Sequence, residues 1–394
     1  MTFGRTWLAE WPLDPDVTYL NHGTVGVTPR RILDVQRQIR DDIERQPSRF
    51  LNREMSAPSF NTTRVPAPRL RAAAAVVAPF LGARADDLVF VDNATSGANA
   101  VLRSFPLEPG DEILVTDLGY GAVTNAARFV ARTAGATVRT VTMPHLPTAA
   151  GLTAAVVGAV GPHTRLAIVD HITAQSALVL PLADIAAGLH GRGVAVLADG
   201  AHAPGAIALD VPALGVDWYV GNLHKWAWVP RSSGILWAAP LRQAGLHPVV
   251  ISWGLDRGFT AEFDTPGTRD PSPHLSAPAA LALFDEWGLD AVRRYNHELA
   301  WTGAHRLASK WQTPFETPEA LVGTMAAVEV PAALGSSPED AQRLRDALLV
   351  EDGIEVQMHE YRGAIRARIS AQIYNDMTDI ERLGEAVARR AATA

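Results

Sequence analysis

Between about residue 70 and residue 240 the chain alternates two kinds of pattern. Short runs dense in aliphatic and β-branched residues (DLVFVDN, EILVTDL, TVRTVTM, RLAIVDHI, VAVLADGA, WYVGNLH and GILWAA) are separated by Ala-rich amphipathic stretches. Strand-length apolar runs spaced by helix-length amphipathic ones read as βαβ units. This is an α/β class, with a largely parallel sheet covered by helices on both faces. The last two runs lie so close together that an antiparallel hairpin suits them. Ligands of such sheets bind in the loops that follow the strands.

The pattern changes after the Pro- and Gly-rich segment FDTPGTRDPSPH (263–274). A long helical run, SAPAALALFDEWGLDAVRRYNHELAWTGAHRLASKW, reads as one or more connecting helices. A smaller unit follows, with strand-like GTMAAVEV, helical SPEDAQRLRDALLVED, strand-like IEVQMHE and AIRARIS, and a last helix from about Asp376. The expected division is an N-terminal segment (1–20), a large domain (21–262), a connecting segment (263–310) and a small α+β domain (311–394). No internal repeat or low-complexity linker interrupts it.

Composition narrows the function classes. At 394 residues, 47% hydrophobic and 20% charged, the chain suits a packed globular enzyme larger than one ordinary core. A net charge of −7 without a basic cluster leaves no footprint for nucleic acid or an anionic membrane. The expected partner is a small molecule or another copy of the chain. No run approaches a membrane span, and MTFGRTWLAEWPLD does not read as a signal peptide, so a cytoplasmic protein is expected. Cysteine is absent, which removes disulfides, thiolate nucleophiles and cysteine-ligated metals. No metal site is expected.

The chemistry lies at strand ends. In GNLHKWAWVPRSSG, Lys225 stands in an apolar, tryptophan-rich setting, where a lysine is costly unless paired or chemically used. Asp199 ends VAVLADGAHAPG, 26 residues earlier. Alone it reads equally as a loop or capping aspartate. A strand-end acid followed by a strand-end lysine points to a pyridoxal phosphate site, with the acid keeping the pyridine nitrogen protonated and the lysine forming the Schiff base. In VFVDNATSGANAVLRSF a strand runs into Asn93, and Thr95, Ser96 and Gly97 open a helix whose N–H groups and dipole would hold a phosphate. An ordinary Ser or Thr cap reads the same way. No GxGxxG or P-loop pattern competes for that role.

Together the segments YLNHGTVGVTPR, NATSGAN, ADGAHAPGAIALD, GNLHKW, VISWG, GTRDPS and RARIS occur in an order that resembles the class V aminotransferase-like branch of fold-type I pyridoxal phosphate enzymes. The likeness is to the isopenicillin N epimerase-related group, which includes C–S lyases, and it spans nearly the whole chain. It implies a large domain with a mostly parallel seven-stranded sheet, a small C-terminal domain on which the N-terminal segment packs, and a homodimer with shared active sites. It makes Lys225 the Schiff-base lysine and Asp199 the partner of the ring nitrogen. His202 faces O3′, with Thr173 near it, and Thr95, Ser96, Asn222 and His224 hold the phosphate. Thr268 would reach the phosphate of the neighbouring subunit, and Tyr120 would stack on the ring. Arg368 matches the arginine that grips the substrate carboxylate, with Arg366 two residues away on the same strand face as a substitute. His22 is placed near the substrate, although a loop histidine bonded to backbone fits its position as well. Trp226, Trp228 and Trp253 read either as core or as a bulky, partly apolar substrate site.

Once the α-proton of an amino acid has been removed by Lys225, three outcomes stand open. Loss of a β-substituent makes a lyase, return of the proton on the opposite face makes an epimerase, and protonation of the cofactor carbon makes an aminotransferase. Desulfuration needs a cysteine to take up sulfur, which opposes that branch. Epimerisation with two bases needs a second acid, for which Tyr120 or His22 are the nominees. The expectation is β-elimination from a bulky S-substituted cysteine, of a kind met in secondary metabolism, ahead of epimerisation and transamination. A non-catalytic binding protein on the same fold has no chemical need for Lys225, Asp199 and Arg368 together.

Overall fold

The structure, a computed structural model, describes residues 2–55 and 68–394. The seven apolar runs form one sheet. Its strands are β2 (Leu88–Val91), β3 (Glu112–Thr116), β4 (Thr137–Val141), β5 (Thr164–Asp170), β6 (Ala195–Gly200), β7 (Trp218–Asn222) and β8 (Gly234–Ala238). They lie in the order β2-β8-β7-β6-β5-β3-β4. Only β8 runs against its neighbours, β7 and β2. This is a mostly parallel seven-stranded sheet with an antiparallel hairpin where the sequence placed one.

The sheet is buried on both faces, and the two-residue period assigns each side chain. Ile113, Val115, Leu166, Ile168, Ala195, Leu197, Trp218 and Val220 pack with Ala94, Ala98 and Val101 of the helix Ala94–Ser104 and with Val123 and Ala127 of the helix Gly121–Ala134. Leu114, Ala167, Val169, Val196, Ala198 and Tyr219 belong to the core on the other face. Asp170, Asp199 and Asn222 continue the first set by two residues. They therefore project on the Ala94–Ser104 side, at the carboxyl ends of three adjacent strands.

The small domain holds a three-stranded antiparallel sheet of β9 (Met325–Glu329), β11 (Gln357–Tyr361) and β12 (Ala364–Ser370), in the order β11-β12-β9. It packs against the helices Leu289–Trp311 and Met377–Thr393. The connecting run forms two helices, Ala277–Trp287 and Leu289–Trp311, broken at Gly288, whose φ of 80° disfavours any other residue. A pairing not visible in the hydrophobic pattern ties the chain's two ends together. β1 (Thr18–Tyr19) lies parallel to β10 (Ile354–Glu355), and Leu20 O accepts from Ser370 N at 2.9 Å. The first residues bond to the C-terminal segment and pack into the core: Gly4 N donates to Ile373 O, while Trp11 packs on Trp228, Trp287 and Tyr374.

Candidate active site

Lys225 follows β7 in a turn clamped from two sides at backbone distance. A Cβ on Gly26 (φ 68°) would lie 1.8 Å from His224 O, and one on Gly205 (φ 90°) would lie 2.3 Å from Trp226 O. Only glycine allows either approach. The clamp also accounts for His22. Its two ring nitrogens face Tyr374 OH at 2.9 Å and Lys225 O at 3.0 Å, and its ring packs on Trp226. Fully buried with both nitrogens engaged, His22 holds the lysine segment and has no nitrogen left for a substrate. The expectation of substrate contact or proton transfer by His22 is corrected on that ground.

Lys225 Nζ sits 3.1 Å from His202 Nε2. Burial draws the ammonium down from its usual range to about 7, helped by the Arg368 charge and opposed by Asp199 and Asp170. A large fraction of the amine is then neutral near neutral pH, the form that attacks a carbonyl. Burial likewise holds His202 far below its ordinary value, so its ring is uncharged, and its Nδ1 has no partner. Asp199 is buried. Its Oδ1 accepts from Ala201 N at 3.0 Å, but Oδ2 has no donor, and burial raises the carboxyl. A buried carboxylate oxygen and a buried ring nitrogen, both unpartnered beside a partly neutral lysine, require an absent polar group.

The anion end is built on the helix Ala94–Ser104. Asn93 caps it, accepting from Ser96 N at 2.9 Å, and Asn222 Oδ1 accepts from Ala94 N at 2.8 Å, tying the helix start to β7. Asn222 thus positions the helix, leaving its amide NH2 as the group able to face an anion. Thr95 and Ser96 are half-buried at the mouth. Gly97 is needed for packing, since a Cβ there would meet Val220 Cγ1 at 2.7 Å, and its N–H donates to Asn93 O at 3.1 Å. His224 turns Nδ1 to Ser233 O at 2.8 Å, and Nε2 has no partner among the described residues. Thr268 is exposed. Thr173 Oγ1 is taken by Ser176 Oγ at 2.7 Å and Leu178 N at 2.8 Å, so it holds its turn.

Arg368 is buried. Nη1 donates to Ala174 O and Nη2 to Thr24 Oγ1 and Asn21 Oδ1, while Nε has no acceptor. No carboxylate of the described residues pairs with it, and burial lowers the guanidinium to about 10. A buried cation with a vacant donor and no counter-ion is suited to receive a carboxylate. Arg366 shares that strand face but lies 3.6 Å from Glu329 and stacks over Tyr361, in an outer groove with Ser176 and Phe315. It is not brought to Arg368's partners and does not duplicate it. Tyr120 stands at the head of the helix Gly121–Ala134, 47% exposed, with no side-chain hydrogen bond to the described residues. Trp226 and Trp228 are core, Trp228 lying flat on Phe284 at 3.9 Å, whereas Trp253 is 73% exposed.

One residue escaped the sequence reading. Asp170 ends β5 in register with Asp199 and is buried. The signal was present, because VDHI closes a strand with an acid just as LADG does on the next strand.

Fold and site together define a fold-type I pyridoxal phosphate enzyme. The chain belongs to the class-V aminotransferase family, whose model matches residues 52–383. It is 34% identical to isopenicillin N epimerase of Streptomyces clavuligerus, over 95% of each chain. It is 30% identical to a probable chloroplastic L-cysteine desulfhydrase of Arabidopsis thaliana, covering 95% of this chain and 83% of the relative. Among solved structures, the cystine C–S lyase C-DES in complex with its product cysteine persulfide superposes with a TM-score of 0.75 at 23% identity, over 98% and 99% of the two chains. The Escherichia coli cysteine desulfurase CsdA gives 0.76 at 20%, over 100% and 99%. At these identities the superpositions speak to the fold. The unpartnered Asp199 Oδ2, His202 Nδ1 and Lys225 amine fit the cofactor, which is pyridoxal phosphate. No described helix is long and apolar enough to cross a membrane.

Proposed function

We propose that the chain is a C–S lyase acting on a bulky S-substituted L-cysteine. Bound pyridoxal phosphate supplies an electron sink for the pair left when the α-proton departs. Arg368 takes the substrate carboxylate through its unpartnered Nε–H, which fixes the α-carbon. Lys225, its amine held partly neutral by burial, takes the α-proton and can return it to the leaving sulfur. Asp199 stabilises positive charge at the ring nitrogen, and His202 supports the ring from Nδ1. The C–S bond breaks, and water completes the products: one thiol, one pyruvate and one ammonia per substrate.

The observation that carries this reading is the engagement of both His22 nitrogens, which leaves Lys225 as the one well-placed base. Elimination needs only one. The second reading, an amino-acid epimerase, is favoured by the Tyr120 hydroxyl, a group able to act as an acid that bonds to none of the described residues, and by the 34% identity with an epimerase. Incubation with S-substituted cysteines in deuterated water decides between them. Equal yields of thiol, pyruvate and ammonia are expected. Inversion at the α-carbon with deuterium uptake and none of those products would replace the lyase by the epimerase.

The reading includes a homodimer. Exposed Thr268 lies in the same stretch as an apolar run, Val249, Val250 and Ile251, each about half exposed. That run is suited to a partner copy, which would bring Thr268 to the neighbour's phosphate. Two inactive variants, Lys225→Ala and Thr268→Ala, should restore activity when mixed as heterodimers. No recovery would count against sharing.

A further inference from the structure

Asp170 has no part in the chemistry described so far, yet it is buried beside Asp199. The two residues are Cα partners on adjacent parallel strands, and both continue the strand face that packs on the Ala94–Ser104 helix. Two carboxylates in that arrangement lie about 5 Å apart. At an effective dielectric near 20, mutual repulsion makes the second ionisation harder by on the order of a hundredfold, before any cost of burial. Few charges offset it. Lys225 is the one cation acting on both; Asp117, at the base of the 117–121 loop, is already paired with Arg362 at 2.9 Å; His171 points to the other face, onto Tyr219 OH at 2.9 Å. The loop covers Asp170 closely. A Cβ on Gly119 would lie 3.6 Å from Asp170 Oδ2, and the Tyr120 backbone N–H faces the carboxyl.

The geometry points to Asp170 as a positioning residue that stays protonated next to Asp199. The pair then carries one negative charge, held on Asp199, while Asp170 anchors the backbone of Tyr120 above it. A protonated Asp170 has one oxygen to accept from Tyr120 N–H and one O–H to donate, and Asp199 Oδ2, a carboxylate oxygen with more than one lone pair, can accept that O–H while also facing the ring nitrogen. Burial first, and Asp199 second, push the Asp170 carboxyl well above its usual range, in agreement. The assignment does not depend on the choice between elimination and epimerisation.

Infrared spectroscopy of the loaded enzyme at neutral pH tests it. The wild-type protein should show a buried protonated-carboxyl band. Its absence would overturn the proposal with no variant needed. The band should vanish in Asp170→Asn, which keeps the shape and the neutral charge; a band that persists there places the proton elsewhere and sinks the assignment. The pH profile gives an independent readout. Wild type should lose kcat at alkaline pH as the second carboxyl ionises, and Asp170→Asn should lack that step. An alkaline limb unchanged in Asp170→Asn would reduce Asp170 to a packing residue.

Discussion

Replacing Arg368 by alanine isolates substrate recognition from cofactor chemistry. The guanidinium commits Nη1 and Nη2 to Ala174, Thr24 and Asn21, and leaves Nε for a ligand. A charge-assisted hydrogen bond of about 1.5–3 kcal/mol, and the attraction between the two opposite charges, are lost in the variant. Water entering the space recovers part, leaving a net loss of about 3 kcal/mol. Since 1.4 kcal/mol is tenfold, kcat/KM should fall on the order of 100-fold, chiefly through KM. Stability moves differently. The fold holds this cation at a cost, as its lowered pKa shows, so Tm should not drop by more than about 3 °C. Steady-state kinetics on the purified variant, with cofactor absorbance as a loading check, make the measurement. Arg368→Lys should recover little, because an ammonium lacks the planar fork. A kcat/KM within twofold of wild type in Arg368→Ala would refute the reasoning.

Borohydride reduction should fix the cofactor on Lys225. The chain's only other lysine, Lys310, pairs with Glu385 at 3.7 Å in the connecting helix, so peptide mapping after reduction of Lys225→Ala should find no label. The lowered Lys225 pKa also predicts a pH-dependent stability of the cofactor-free protein. Between about 7 and 10.5 the unfolded lysine binds the proton and the folded one does not, so folding gains stability as pH rises through that window. Relative to Lys225→Met, wild type should gain about 2 kcal/mol from pH 7 to 9 in urea titrations, and parallel pH profiles would contradict the shift. Tyr120→Phe should keep most lyase activity. A loss of about 10²–10⁴-fold would instead mark Tyr120 as an acid–base group.

The sheet was legible because burial on both faces writes its strands as unbroken apolar runs, and the crossovers between them are amphipathic. Lys225 and Asp199 were legible because charge in such runs has few uses. The supporting partners were not. His22 and Thr173 sit in motifs whose residue types suit either substrate contact or backbone bracing. What separates the two is which atoms each ring nitrogen or hydroxyl meets, and for His22 those atoms belong to Lys225 and Tyr374, some 200 and 350 residues away. Gly97 matched an anion-binding pattern, while the constraint on it is Val220 on a distant strand. Asp170 was missed for the converse reason: one acid at a strand end is ordinary, and its meaning comes from the register with Asp199.

The parallel pairing of β1 with β10 sets an order of events during synthesis. The residues that clamp the lysine turn leave the ribosome first, but Leu20 must wait for Glu355 and Ser370 before its backbone is bonded. The roughly 350 intervening residues take about 20–70 s to translate at ordinary rates. Over that interval the seven-stranded sheet, complete by Ala238, can assemble while Arg368 and Tyr374 do not yet exist. A nascent chain therefore holds a finished sheet and a lysine turn well before Tyr374 can brace His22 and Arg368 can join the site. Synthesis of Arg368, rather than formation of the sheet, is the step after which the proposed carboxylate contact can form.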